Sequence, residues 1–360
     1  MVGFHVSKES ITINSHKGEY SVIFNNNGIS DLNKDPIANA VYIIDENLVN
    51  IYSKNLCNII ENNRCLIIKA TEKNKSLKKL SSYIDELINL ELKRDEKIVA
   101  IGGGIIQDIT CFLSSTLMRG IPWYFYPSTL LAMADSCIGS KSSINSGDLK
   151  NILGTFNPPE KIILDVTFLK TLERVDILSG IGEMIKVHAI NSPESFKKIS
   201  DSYENILSDM TTMESFIKES LLMKKILIEI DEFDKKERNV MNYGHSFGHA
   251  IESATNYSIP HGISVTIGMD IANYVAAKLG VSTDYHFERM HDLLSKNSSL
   301  YDKKIIDSDL LIKALNKDKK NTKSQLRLIL PDKKGEIGIG LYDKSQKLKK
   351  AVDSYLTEYK

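Results

Sequence analysis

Residues 97–108 read Lys97-Ile98-Val99-Ala100-Ile101-Gly102-Gly103-Gly104-Ile105-Ile106-Gln107-Asp108. The unbroken apolar run up to Ile101 suits a strand buried on both faces, and a helix is expected to open near Ile105. The glycines Gly102, Gly103 and Gly104 let backbone N–H groups approach a diphosphate, whose negative charge the helix N-terminus favours. A tight strand-to-helix turn needs glycine for steric reasons alone, so the triplet leaves a purely structural role open.

The same alternation extends to either side. Residues 40–44, 65–70, 123–126 and 161–164 are short apolar or β-branched runs, and residues 10–13 and 20–24 read as a hairpin turning at His16-Lys17-Gly18. Between the runs at 65–70 and 97–101, Leu77, Leu80, Ile84, Leu87 and Ile88 predict one apolar face of a helix. Strands alternating with helices imply a parallel sheet wrapped by helices. Beyond about Asp165 the pattern is helical to about residue 320, broken near 191–193 and 258–260, with a late strand pair at 326–330 and 336–340. The expected organisation is an α/β domain over 1–170 and a mainly helical domain over 171–360. Two domains is also what 360 residues suggest at roughly 150 per domain.

The 46 basic side chains balance 46 acidic ones, which argues against broad electrostatic capture of nucleic acid or an anionic membrane and leaves room for a local basic pocket. Four cysteines without a CxxC pairing are too few for a disulfide framework and point to a reducing, cytoplasmic setting. The first residues lack a basic-then-apolar signal pattern. No apolar run reaches the roughly 20 residues of a membrane span; residues 98–118 come nearest and are interrupted by three glycines and Asp108.

Asp45, at the end of the run over 40–44, is placed to accept ribose hydroxyls or simply to cap a helix. His245 and His249 stand four apart and share a helical face, and His261 follows sixteen residues after His245. Three of the chain's eight histidines thus fall within seventeen residues, a concentration that suits metal ligands better than core packing. Ser246 occupies the place where a zinc protease needs its glutamate base, which argues against peptide hydrolysis. Glu183, followed by Lys186, is the expected carboxylate of a divalent-metal set; its plainer reading is an exposed helix acid. Cations gather near glycines and polar turns: Arg119, Lys141 after Asp135, Lys150 before Asn151, then Lys186, Lys224 and Arg238. With a metal and a dinucleotide site, they point to a small phosphorylated substrate, with carboxylate as an optional second anion.

From about Ala40 to Gly340 the chain resembles the 3-dehydroquinate synthase family of sugar-phosphate cyclases. The motifs are Glu72-x-x-Lys75-Ser76, the glycine triplet with Asp108, Met118-Arg119-Gly120 and Pro127-Ser128-Thr129-Leu130-Leu131-Ala132. They continue through Asp135 to Lys141, Lys150-Asn151, Glu183-x-x-Lys186, Arg238-x-x-x-Asn242-x-Gly244-His245, His249 and His261-Gly262. The resemblance implies a Rossmann-like NAD domain followed by a helical metal domain. By motif, Glu183, His245 and His261 would hold zinc or cobalt. Asp45, Glu72, Lys75, Gly102, Gly103, Gly104, Asp108, Ser128, Thr129 and Lys150 would bind NAD. Asn151, Lys186, His249 and a lysine from Asp318-Lys319-Lys320 would surround a substrate phosphate, while Asp135, Lys141, Lys224, Arg238 and Asn242 would meet its hydroxyls and carboxylate. Arg119 would reach a neighbouring subunit's site, which implies a homodimer.

The implied reaction converts 3-deoxy-D-arabino-heptulosonate 7-phosphate to 3-dehydroquinate and phosphate in the shikimate pathway. It runs through transient oxidation by NAD, phosphate elimination, re-reduction and aldol closure. Four positions depart from the family's pattern: Gln107 and Ser140 replace glycines, and Asp234 and Ile263 replace glutamates. Retention of Arg238 and Asn242 favours a carboxylated substrate over the neutral sugar phosphates of the 2-deoxy-scyllo-inosose and 2-epi-5-epi-valiolone synthases. A metal-dependent polyol dehydrogenase of similar architecture would instead release NADH and need no phosphate pocket.

Overall fold

The structure, a computed structural model, describes residues 9–147, 149–317 and 321–359. These form two compact units. The first takes the described residues of Met1–Leu172 together with Lys225–Phe233; the second takes Glu173–Lys224 and those of Asp234–Lys360.

In the first unit β1 (Ser10–Ser15) and β2 (Gly18–Phe24) make an antiparallel hairpin. The chain then alternates through α1 (Gly28–Lys34), β3 (Ala40–Asp45), α2 (Glu46–Ile51), α3 (Ser53–Asn62), β4 (Arg64–Ile68) and α4 (Leu77–Asn89). It continues with β5 (Lys97–Gly102), α5 (Gly104–Thr116), β6 (Trp123–Pro127), the short hairpin β7 (Ile144–Ser146) and β8 (Leu149–Leu153), and β9 (Lys161–Leu164). The sheet runs β1-β2-β9-β6-β5-β3-β4, parallel at every pair except β1 with β2. Residues Val41 to Ile44 and Ile98 to Ile101 have no exposed surface, which is why their runs are apolar without alternation. On α4 the buried row is Leu80, Tyr83 and Leu87, whereas Leu77 and Ile88, expected on the same face, lie outside it at 46% and 59% exposure. Both stand at the margin of the apolar arc, too far round the helix to reach the sheet.

Strand order reverses between β3 and β5, because β4 is added on one side of β3 and β5 on the other. In open α/β sheets the crevice beyond the strands' carboxyl ends at such a reversal is the ligand site. Ile44 pairs with Ile101 across it, so Asp45 and Gly102 leave the sheet side by side.

The second unit is mainly helical: α6 (Arg174–Asn191), α7 (Pro193–Asp201), α8 (Tyr203–Ser208), most of α9 (Met210–Ile230), α10 (His245–Ala254), α11 (His261–Leu279), α12 (Asp284–Asn297), α13 (Ser308–Asn316) and α14 (Gln346–Glu358). Its strands, β10 (Gln325–Pro331) and β11 (Ile337–Asp343), pair antiparallel. Helix α11 is buried continuously from Gly262 to Ala276 and packs against α6, α10, α12 and α14. A helix apolar on all sides is a core helix, and this one is the hub of the unit.

Candidate active site

Three helices of the second unit bring the histidines and Glu183 together. Helix α10 begins at His245 and carries His249 one turn later, α11 begins at His261, and α6 carries Glu183 and Lys186. The helices approach backbone to backbone. A Cβ on Gly262 would lie 1.9 Å from the Ser179 carbonyl oxygen of α6, and one on Gly268 would lie 2.2 Å from the Gly244 carbonyl oxygen beside α10. The crossings adjoin the functional residues, since Gly182 precedes Glu183, Gly244 precedes His245 and Gly262 follows His261.

Far from being an exposed helix acid, Glu183 is 2% exposed. Its Oε1 lies 3.8 Å from His245 Nε2 and 3.5 Å from His261 Nε2. The opposite ring nitrogens face acceptors: His245 Nδ1 is 3.2 Å from the Tyr243 carbonyl, and His261 Nδ1 is 3.3 Å from Glu252 Oε2. This outer contact sets the tautomer that leaves Nε2 as a lone pair, the arrangement of metal-ligating histidines. A tetrahedral ion about 2.0–2.2 Å from each donor sets neighbouring donors about 3.3–3.6 Å apart; the His261 contact at 3.5 Å lies inside that range and the His245 contact at 3.8 Å just beyond it, close to the spacing a zinc-like ion needs. A ring nitrogen of His249 joins the other two histidines within 4.8 Å, so His249, expected only at the phosphate, is a geometric rival to Glu183 for the third ligand position. Burial, with Lys186 and the neighbouring histidines, holds His245 well below the ordinary imidazole value and hence neutral. Burial works the same way on His261, but the Glu252 hydrogen bond and the charges of Glu183 and Glu252 outweigh it and raise its pKa.

Lys186, Lys224 and Arg238 are all nearly buried in this unit, at 2%, 6% and 5% exposure. Lys186 Nζ pairs with Glu183 Oε2. Arg238 and the half-buried Asn242 stand on a 3-10 turn, Glu237–Asn242, steadied by Arg327 donating to Asn239 Oδ1 at 3.1 Å. Burying cations is costly, so lysine and arginine side chains kept this far from solvent answer a specific need rather than serving as solvated surface charge.

In the first unit the glycine turn is as tight as expected. A Cβ on Gly102 would lie 2.5 Å from Ile106, one on Gly103 would lie 2.9 Å from Thr129, and Gly104 faces open space. Helix α5 starts at Gly104, one residue earlier than predicted, and the Ser128 N–H donates to the Gly102 carbonyl at 2.9 Å. Lys75 Nζ binds Asp108 Oδ2 and Asn151 Oδ1, each at 3.0 Å, and lies 3.6 Å from Glu72 Oε1. Burial pushes the Asp108 carboxyl up to about 6 against the pull of Lys75. Asn151, expected at the substrate phosphate, is thus tied to residues of the NAD set. Asp45 caps α2 by accepting from the Asn47 N–H at 3.1 Å. Asp135 is buried on the π-helical turn Ala132–Ser136, while Lys141, Lys150 and Arg119 are exposed. Lys319 and Lys320 lie outside the described residues.

Sequence reading missed the residues that hold these groups. Glu252 falls seven after His245 and three after His249, so the helical face that revealed the histidines also contained it. Asn145 donates to Glu72 Oε1 at 2.7 Å and accepts from the Asn151 N–H at 2.8 Å, with no periodic signal to betray it.

Comparison with known proteins covers both units. The family model described as 3-dehydroquinate synthase N-terminal matches residues 65–179, and the one described as 3-dehydroquinate synthase C-terminal matches residues 180–321. A 3-dehydroquinate synthase of Dictyoglomus turgidum is 40% identical over 274 residues, which are 74% of this chain and 76% of that protein. A solved 2-deoxy-scyllo-inosose synthase, complexed with carbaglucose-6-phosphate, NAD+ and Co2+, has a TM-score of 0.83 at 20% identity, covering 96% of this chain and 100% of that one. The 2-epi-5-epi-valiolone synthase of Streptomyces hygroscopicus subsp. jinggangensis, with NAD+ and Zn2+ bound, has a TM-score of 0.83 at 22% identity, covering 95% and 97%. The solved structures share the fold; the matches in sequence, which run through the glycine turn and the histidine helices alike, go further, and by them the chain belongs to the 3-dehydroquinate synthase family.

Proposed function

We propose that this protein is an NAD- and metal-dependent cyclase that converts 3-deoxy-D-arabino-heptulosonate 7-phosphate to 3-dehydroquinate and phosphate. One observation carries the reading: His245 and His261 turn their Nε2 atoms toward the buried Glu183 in the same unit that buries Lys186, Lys224 and Arg238. Such a combination suits a divalent ion next to a small substrate with more than one anionic group.

Glu183, His245 and His261 hold the ion, with Glu252 and the Tyr243 carbonyl fixing the two rings. Asp45, Glu72, Lys75, Asp108, Ser128, Thr129 and Lys150 would bind NAD, and the N–H groups that open α5 would suit its diphosphate. Bound there, NAD would supply reversible hydride chemistry and the zinc or cobalt ion Lewis acidity. Lys186 and His249 of the helical unit would meet the phosphate, with the Lys186 ammonium steadying the charge that grows as it departs, and the resemblance gives Asn151 the same role. Lys224, Arg238 and Asn242 of the helical unit would orient hydroxyls and carboxylate for ring closure, a role the resemblance gives also to Asp135 and Lys141.

The turn carrying the exposed Arg119 has left-handed backbone at three successive residues, with φ of 49° at Met118, 69° at Arg119 and 125° at Gly120. Left-handed backbone at non-glycine residues such as Met118 and Arg119 is often kept at functional sites, and the resemblance gives Arg119 its role in the neighbouring subunit of a homodimer. Four free thiols fit work in the cytoplasm, and no helix among the described residues is long and apolar enough to cross a membrane.

Protein loaded with NAD and zinc or cobalt is expected to release phosphate from the seven-carbon acid phosphate without accumulating NADH, and to yield 3-dehydroquinate on product analysis. Release from a neutral sugar phosphate instead would move the protein to another cyclase. Steady NADH formation from a simple polyol would defeat the cyclase reading altogether.

A further inference from the structure

The turn over residues 135–141 carries Asp135 and Lys141, and it is held by side chains that belong to none of the sets above. At its start, Gln107 on α5 forms a reciprocal pair with Ser136: Nε2 donates to the Ser136 carbonyl at 2.6 Å, and Oε1 accepts from Ser136 Oγ at 2.7 Å. Midway, the Gly139 N–H donates to the Tyr20 hydroxyl on β2 at 3.1 Å. At its end, Ser140 Oγ donates to Glu232 Oε1. The same carboxylate accepts from the His16 backbone N–H at 2.7 Å and faces His16 Nδ1 at 3.0 Å. All of these residues lie in the α/β unit, and Gln107 and Ser140 are buried.

Ser140 is informative because its backbone is unfavourable for it. Its φ is +67°, in the left-handed region where a Cβ crowds the backbone and glycine is preferred. A chain that needed only the turn would be better served by glycine; what serine adds is a hydroxyl, and that hydroxyl goes to Glu232. Gln107 is comparable. A buried amide must have its polar ends satisfied, and Ser136 takes up both ends of Gln107, in the first turn of α5.

We infer that Gln107 and Glu232 are positioning residues, which pin this turn at both ends so that Asp135 and Lys141 meet the substrate in a single arrangement. The inference rests on the reading of Asp135 and Lys141 as substrate ligands. Fixing two ligands on one turn favours only substrates whose hydroxyls and anionic groups match that spacing, so the pins act on specificity and on orientation together.

Two variants separate this from a structural role. Ser140→Gly removes the hydroxyl while relieving the left-handed strain, so it folds; Gln107→Ala removes the other pair without disturbing the helix. Both, and the double variant, are assayed with NAD and zinc for phosphate release from the seven-carbon acid phosphate, taking kcat and KM separately. NAD affinity is titrated by protein fluorescence, and amide hydrogen exchange is followed over residues 136–141. The expected result is a fall in kcat/KM of about tenfold in each single variant and about a hundredfold in the double, carried mainly by KM. NAD affinity should stay within about twofold, and exchange across the turn should quicken. Unchanged kcat and KM in all three variants of an active enzyme overturn the inference, even if thermal midpoints move. Should the wild type release no phosphate from this substrate, the proposed reaction falls and exchange decides: faster exchange confined to residues 136–141 upholds the pinning, and unchanged exchange overturns it.

Discussion

Around Glu183 the polar side chains stand on three helices whose backbones touch at Gly262 and Gly268, whereas around Lys75 they stand on turns, a hairpin and the first turns of α5, joined by side-chain hydrogen bonds. In the helical set, geometry is inherited from packing: Glu183 and His261 face each other because α6 and α11 cannot lie otherwise. In the loop set each polar group is placed by the next, from Asn145 to Glu72 and Asn151, and from Asn151 to Lys75 and Asp108. The two constructions differ in where a substitution is felt. A change remote from any ligand, at a crossing glycine, should disturb the first; a change at a ligand's hydrogen-bond partner should disturb the second and leave the fold alone.

The largest expected effect tests whether the helical set separates metal from substrate. His245→Ala should lose its metal on dialysis and drop kcat/KM by about a thousandfold or more. Lys186→Ala should keep full metal by elemental analysis while kcat falls about a hundredfold. Equal metal loss in both would assign Lys186 to the metal centre. Next comes Gly262→Ala, whose Cβ would be 1.9 Å from the Ser179 carbonyl oxygen. It should destabilise the protein by about 2–3 kcal/mol in denaturant titration and weaken metal binding although no ligand has changed. Full occupancy at an unchanged midpoint would show that α6 and α11 can part without disturbing the centre.

Asn145→Ala, on the loop side, should weaken NAD by about tenfold, with metal content unchanged and stability lowered by only about 1 kcal/mol. A fall in metal content there would erase the distinction between the two constructions. The smallest effect concerns pH. Burial opposes the charge of Glu232, but hydrogen bonds from Ser140 and His16 outweigh it and hold the carboxyl below its ordinary value. Stability from this contact is therefore complete above the unfolded pKa of about 4.3 and is lost as pH falls through the lower folded value. Thermal midpoints of wild type and Glu232→Ala should differ by a constant amount from about pH 7 to 5 and converge below about pH 4. A gap that stays constant down to about pH 3 would show that the contact does not depend on the Glu232 charge.

Legibility in the sequence followed burial. Strands β3 and β5 were readable because both faces are covered, which leaves only apolar residues. The β7–β8 hairpin was not read: β8 is exposed along nearly its whole length, so no alternation marks Leu149 and Ile152 as strand residues. The late pair β10–β11 was readable because Leu326, Leu328, Ile329 and Leu330 make a short, buried apolar run ahead of a turn. At the site, histidines and glycines stood out because few other roles call for them in such clusters. Glu252, Asn145, Gln107 and Glu232 did not, because an acid or amide in a helix or turn is commonplace until a distant partner is known. The grouping of Lys225–Phe233 with the first unit was equally hidden, since α9 runs through that point with no break in its helical pattern.

The contact at Gly262 also bears on how such a protein can diversify. Every other amino acid brings at least a Cβ, and there is no room for one against Ser179, so this position cannot drift by small steps; it changes only if two helices move at once. The turn held by Gln107 and Glu232 has no such barrier, because each pin can be exchanged for another polar pair. Over a lineage, substrate preference is therefore free to wander along the loops while the metal centre stays where two backbones meet.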